Sequence, residues 1–341
     1  MLTRREFLGS AISSASVMML SSLEAHAESS EDKSFAKILK TSKHPLAILQ
    51  GPTTETHTQL VVDSPIWLKL NYHLVDVETG KVFTPSYVQA HSSKTSTFRT
   101  EHVHFSGLSL GHRYHFVAQS LCGLIKDVRE LRTLDTQSQN ARIALLSCMH
   151  DLSPNMKNMW QSVAAAKPNA IFLMGDNVYG DLILFGHPML LWRRYIETRQ
   201  RVPLYHWPRL VPTFAIWDDH DYGLDNSDGH YEHKAFSLEA FNAFYAQTEV
   251  PGLYEKGPSI AAHARLFNRD FLFLDCRYHR GFQESYGKSY LGQAQLDWIA
   301  SRDLTPHGDL WLNMGAQWFG GYRRRGESIE QKAPHELSLV K

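Results

Sequence analysis

Two stretches of this chain carry apolar runs that end in carboxylates: residues 170–181, AIFLMGDNVYGD, and residues 212–228, PTFAIWDDHDYGLDNSD. A buried parallel strand reads as a continuous apolar run, and open α/β sheets bind ligands at the carboxyl ends of their strands. Asp176 and Asp219 therefore fall where two strands deliver side chains to one spot. A third run, residues 141–147, ends at Cys148. Acids, a thiol, a phenol (Tyr179) and an imidazole (His220) at strand ends are metal-ligand chemistry. Phosphate-ester hydrolysis uses such a site: non-bridging oxygens must be neutralised and hydroxide delivered in line, which two cations bridged by a carboxylate can do.

Asp176 is the natural bridge, because Gly175 lets the chain turn sharply and Asn177 adds a polar group. Tyr179, three residues on, can return to the same metal. A phenolate together with the Cys148 thiolate suits a trivalent, Lewis-acidic iron. Asp219 suits a second, harder cation, and His220 is placed to protonate the leaving oxygen. Each residue also has a plainer reading. Cys148 can be a small buried hydrophobe, Gly175-Asp176 a simple turn, and Asp218-Asp219 a helix N-cap. Cys276, after the apolar run 271–274, reads as structural. The conjunction of three clusters at successive strand ends favours the metal site.

These strands need a sheet and flanking helices. From residue 141 onward strands alternate with helices, as in a layered α/β (α+β) β-sheet domain. Strands are expected at 141–147, 171–174, 213–217 and 310–314, helices at 155–166, 188–199, 234–247 and 291–302. A hairpin is expected over 263–275, turning at Asn268-Arg269-Asp270. Before it, residues 44–135 read as a small all-β sandwich, with short runs such as 58–62, 66–75 and 113–119 between turn residues. Its segment 108–117, LSLGHRYHFV, resembles the tyrosine corner of a fibronectin-like sandwich. The histidines of this part (His91, His102, His104, His112, His115) have no ligand spacing. The expected units are 1–27, 28–140 and 141–341.

Residues 1–27 read as an export signal. Arg4-Arg5 followed by Phe7-Leu8, a serine- and alanine-rich core and Ala25-His26-Ala27 form a twin-arginine pattern with a cleavage site. The core is too short and too rich in serine to be a stable membrane anchor. Lysine plus arginine equals aspartate plus glutamate at 35 each, so no basic surface for nucleic acid is expected. Three cysteines cannot make a disulfide framework. The implied partners are the twin-arginine export machinery and a small phosphate ester, and the implied location is periplasmic or secreted.

The GDNVYGD and WDDHDYG pair, with LLSCMHD before it and FLFLDCRYHR after it, resembles the PhoD-like (alkaline phosphatase D) branch of the calcineurin-like metallophosphatases. The RRYIETR segment and the later LGQAQLDWI helix extend the resemblance over most of the chain. It implies Fe(3+) and Ca(2+) at the site, with ligands at Cys148, Asp176, Tyr179 and Asp219, and a catalytic role for His220 with Asp176. Asn177, Arg193 and Arg194 are expected at the substrate. The family continues to a G-D-x-H segment, whereas here the lead-in (Ser328; Pro334 to Leu337) is followed by Lys341. The expectation is a chain truncated before its last ligands. An inactive relative that only binds, and an iron redox enzyme using Cys148 and Tyr179, are the rival expectations. The acid pair and the absence of haem or iron–sulfur spacing weigh against the redox enzyme. If the signal reading is right, replacing Arg4 and Arg5 by lysine leaves uncleaved precursor in the cytoplasm on a fractionation blot, whereas unchanged export overturns it.

Overall fold

Strand alternation builds the first unit. The computed structural model describes residues 18–19, 46–94, 96–181, 188–285, 287–304, 309–320 and 328–340. Strands β2 (Ala47–Thr53), β3 (His57–Pro65), β6 (Tyr87–Ser92) and β7 (Phe98–Ser106) form an antiparallel sheet in the order β2-β3-β7-β6. A second antiparallel sheet has β4 (Leu70–Asp76), β5 (Val82–Phe83), β8 (Arg113–Ser120) and β9 (Ile125–Arg132) in the order β5-β4-β8-β9. Every second side chain turns inward: Ile48, Leu60, Val62, Val103 and Phe105 of one sheet meet Leu74, Tyr114, Phe116 and Leu131 of the other in one apolar cluster. Tyr114 is fully buried, and its hydroxyl accepts the Ser109 N–H at 2.8 Å.

The strand expected over 66–75 begins only at Leu70. Residues 66–69 turn instead, because Leu68 N–H closes on Pro65 O and Arg99 donates to the carbonyls of Ile66 and Leu68.

The second unit is mixed α/β. β10 (Ile143–Leu146), β11 (Ala170–Met174) and β12 (Thr213–Ile216) run parallel, and β1 (Met18–Met19) adds antiparallel to β10. Apart from that pair, the proposed export signal lies outside the described residues. A facing sheet runs β13 (Tyr254–Lys256), β14 (Ala262–Leu266), β15 (Arg269–Leu274), β16 (Leu310–Met314), with the last pair parallel. Phe172 meets Phe271 and Phe273 with ring centroids 5.1 and 4.9 Å apart, and Phe214 stacks on Phe273. The two sheets therefore lie face to face, and truncating Phe172 to alanine would cost about 3–5 kcal/mol.

Outer faces are covered by helices. α1 (Met156–Ala165), α2 (Pro188–Arg201) and α4 (Lys234–Phe244) bury Trp160, Trp192, Tyr195, Phe241 and Phe244 on the β10–β12 side. A one-turn α3 (Asp219–Tyr222) follows β12 directly. On the other side, α5 (Gln293–Ala300), α6 (Ile329–Lys332) and α7 (Pro334–Val340) pack Leu296, Ile329 and Leu337 against Leu272 and Leu274 of β15. Glu336, buried, accepts the N–H groups of Tyr290 and Leu291 at 3.0 and 2.7 Å and so docks α7.

Two departures from expectation have a visible cause. α4 stops at Phe244 rather than 247, because Tyr245 is extended and the Gln247 side chain takes the Ala215 N–H of β12. The β14–β15 turn is Phe267-Asn268, both left-handed (φ 57° and 56°), so Arg269 and Asp270 already belong to β15.

Buried charge locks the sandwich to the second unit. Arg199 of α2 pairs with Asp63 of β3 and donates to Phe244 O at 3.0 Å, while Thr100 donates to the same Asp63 at 2.9 Å. Arg129 pairs with Asp127 and donates to the carbonyls of Trp207 and Leu46, both at 2.8 Å. Removing one member of such a pair strands the other in a dry interface. Arg199→Ala should therefore lower stability by about 3–5 kcal/mol in denaturant titration. Arg193→Ala, on the solvent face of the same helix, should stay within about 0.5 kcal/mol of the parent. Equal effects of the two would mean that the buried pair does not secure this interface.

Candidate metal centre

The parallel register sets Leu146 of β10 beside Leu173 of β11 and Met174 beside Ile216 of β12, so the three strands end together. Beyond β10 and β11 the backbone bends sharply. Cys148 and Asp176 are both left-handed without being glycine (φ 56° and 53°), a costly conformation that clusters at functional sites. The bends hold one another: Cys148 N–H donates to Gly175 O at 3.1 Å, and Met149 N–H to Asp176 O at 2.9 Å. Gly175 (φ 94°) allows this, and a Cβ there would stand 2.7 Å from the Cβ of Asp218.

The bends bring the expected ligands together. Cys148 Sγ lies 3.5 Å from Asp176 Oδ2, and donor atoms of Asp176, Asp219 and His220 all fall within 4.8 Å of one another. The Tyr179 ring stacks on His220 with centroids 4.4 Å apart, and His150 flanks it at 4.8 Å. Burial and the charges of Asp218 and Asp219 push the Asp176 carboxyl up to about 7. Cys148 is open to solvent on one side, yet desolvation on the other and the Asp176 charge push its thiol up to about 12. Burial, Asp176 and Cys148 likewise raise the Tyr179 phenol. Burial and neighbouring negative charge thus disfavour the ionised form of each group, and a cation among them would favour it.

Four residues that carried no expected role organise the cluster. Asp221, fully buried, accepts the N–H groups of Asn177 (2.9 Å), Val178 (2.8 Å) and Asp218 (3.1 Å), which stitches the β11 and β12 loops. Arg277, buried, donates to Asp218 at 2.6 Å and lies 3.5 Å from Asp219. Asp181 accepts from His220 Nδ1 at 2.8 Å, leaving Nε2 for the cluster. Burial alone would lower the His220 pKa, but Asp181, Asp176 and Asp219 outweigh it and raise it to about 9. Asp151 receives both Arg194 and Arg201. The sequence signals were the repeated acids of the two motifs, the acid closing LLSCMHD and the DCR after β15.

The residues expected at the substrate have partners elsewhere in the fold. Asn177 is fully buried, and its Nδ2 donates to Ile216 O at 2.7 Å, so it ties two strand ends together. Arg194, buried, pairs with Asp151 and donates through Nε to the Tyr179 carbonyl at 3.2 Å, so it holds the ligand loop. Arg193 faces solvent and pairs with Glu197 one helical turn on. Asp218 serves in part as the N-cap of α3, the plain reading, while Asp219 alone reaches the cluster. Cys276 is buried in the apolar layer under α5, as expected. A cavity of about 600 Å³, lined by Trp207, Leu210 and Phe267, opens near Asn169 and Pro212, at the opposite ends of these strands.

The donors fit a cation beside Asp176. Its Oδ1 is buried and has no hydrogen-bond partner among the described residues, a costly state that a metal would relieve. A thiol, a phenol and a carboxylate are ligands for iron, whereas calcium takes only oxygen. Toward Asp219 the fit is poorer, because its oxygens already have Arg277 and the Asn226 N–H (2.7 Å) as partners. These partners, with His220, overcome burial and hold the Asp219 carboxyl below its usual range.

No protein-family model matches the chain, and no curated protein matches it in sequence. A solved structure of PhoD does match in three dimensions, with a TM-score of 0.64 at 17% identity, over 86% of this chain and 67% of that one. The acid-tipped strands and the sandwich before them are thus set in a PhoD-like fold.

Proposed function

We propose that this protein is a metal-dependent phosphoesterase of the PhoD-like kind, acting on small phosphate monoesters or diesters. The observation that carries the reading is the unpartnered, buried Asp176 oxygen among Cys148, Asp219 and His220 at the ends of parallel strands. A cation there, iron(III) on Cys148, Asp176 and Tyr179 with calcium toward Asp219, would neutralise phosphoryl oxygens and acidify the attacking water. The chain's own residues do the rest. Asp181 orients His220 through Nδ1, so that Nε2 can give a proton to the leaving oxygen. Arg277 offsets the charge of Asp218 and Asp219, which lets the acids stand close together without expelling an anionic substrate. Asn177 and Arg194 hold the ligand loop rather than the substrate.

Twin-arginine export to the periplasm or beyond belongs to the same proposal and rests on Arg4-Arg5 and the run after them. Among the described residues no helix is long and apolar enough to cross a membrane. The fibronectin-like reading of the sandwich rests on the Tyr114 hydroxyl.

A second reading, a protein that keeps this fold with little catalysis, is favoured by the partners already on Asp219. Turnover and metal content separate the two. Protein supplied with iron and calcium should hydrolyse p-nitrophenyl phosphate or its bis ester, lose activity to a chelator and regain it on readdition. Asp176→Asn should lose both bound iron and turnover. His220→Gln should keep iron but lower kcat about 100-fold or more. Iron bound to Tyr179 should give a visible charge-transfer band that disappears in Tyr179→Phe. Full metal occupancy without turnover would favour the second reading. Absence of metal binding and of turnover would sink the first reading and leave the second.

A further inference from the structure

One end of the β-sandwich gathers exposed apolar side chains on neighbouring turns. Ile66 and Trp67, in the β3–β4 turn, are 46% and 77% exposed. Leu121 and Leu124, in the β8–β9 turn, are 69% and 58% exposed, and Ile125, which opens β9, is 57% exposed. The two turns are neighbours, since Leu70 at the start of β4 pairs with Ser120 at the end of β8. The β6–β7 turn lies beside them, with Ile66 N–H donating to Thr97 O at 3.0 Å.

These turns are fixed in place. Arg99 donates to Ile66 O at 3.1 Å and to Leu68 O at 2.8 Å, and is itself paired with Glu101. Gln119 holds Gly123 O at 2.6 Å, and Ser120 Oγ donates to Leu124 O at 3.1 Å. Apolar side chains displayed on a rigid frame mark a binding surface, whereas single exposed ones are ordinary.

The charges say what it binds. Lys69 and Lys94 are exposed and Lys126 half-buried, and residues 65–70, 92–97 and 119–126 contain no aspartate or glutamate. An aromatic and aliphatic tip ringed by lysines is the composition of a membrane-interface element, with the apolar groups entering the headgroup–acyl boundary and lysines facing anionic headgroups.

We propose that this end of the sandwich docks reversibly on an anionic phospholipid surface, with Trp67, Leu121 and Leu124 inserted and Lys69, Lys94 and Lys126 at the phosphates. Such docking does not depend on the hydrolytic reading. Full-length protein should co-sediment with vesicles of phosphatidylglycerol and phosphatidylcholine, and should bind pure phosphatidylcholine at least about tenfold less, with high salt removing the difference. The triple variant Trp67→Ser, Leu121→Ser, Leu124→Ser should weaken binding to the anionic vesicles about tenfold or more while melting like the parent, because these side chains make little of the core. Lys69→Glu with Lys94→Glu should abolish the anionic preference. No vesicle binding by the parent, or binding unchanged in the triple variant, would overturn the proposal. So would self-association in analytical ultracentrifugation that the triple variant abolishes, since the tip would then be a contact between copies.

Discussion

The arrangement depends on keeping like charges together. Asp176, Asp218, Asp219 and Asp221 sit on the two loops that extend β11 and β12, where each ionised carboxylate raises the cost of ionising the next. The protein resolves the conflict differently for each. Asp218 takes the Arg277 guanidinium, Asp219 shares that cation and a backbone N–H, and Asp221 is sealed under three N–H donors. Among the described residues, Asp176 receives a weak thiol on one oxygen and nothing on the other. Of these four acids, Asp176 is the one left with an open oxygen, and it stands beside a thiol, a phenol and an imidazole.

Confining it requires loops that cannot relax. Left-handed residues at Cys148 and Asp176 are tolerated because neighbouring strands end in register and their loops exchange backbone hydrogen bonds. Behind them, Arg194 joins Asp151 to the Tyr179 carbonyl, and Asn177 spans from β11 to the end of β12. Two polar residues that look suited to a substrate are consumed in holding ligands still. A site for a small cation needs this rigidity, since ligand distances tolerate errors of only about 0.2 Å.

The sandwich contributes through two different surfaces. Its inner face carries Asp63 and Thr100 against Arg199, a polar contact that fixes orientation because each member would be costly to bury alone. Its turns at one end carry apolar groups with no such partners. The same strands thus anchor the sandwich to the α/β unit and display a tip to the surroundings, since strand faces and strand ends are chemically independent.

Much of this was legible in the sequence. Apolar runs closed by Asp176 and Asp219, and alternation between residues 47 and 132, each report a local period that burial demands, so both sheet systems and the meeting of Cys148, Asp176, Asp219 and His220 could be read directly. Local pattern carries no information on what a polar side chain faces across the fold. Arg193 and Arg194 are adjacent in sequence, yet a turn of helix sends one to water and the other to Asp151. Asp218 and Asp219 likewise diverge into a cap and a candidate ligand. Arg277, more than 50 residues after the acids it neutralises, reaches them only because the second sheet folds over the first. Side-chain pairing over such separations is decided by packing and charge compensation in three dimensions, which no spacing along the chain encodes.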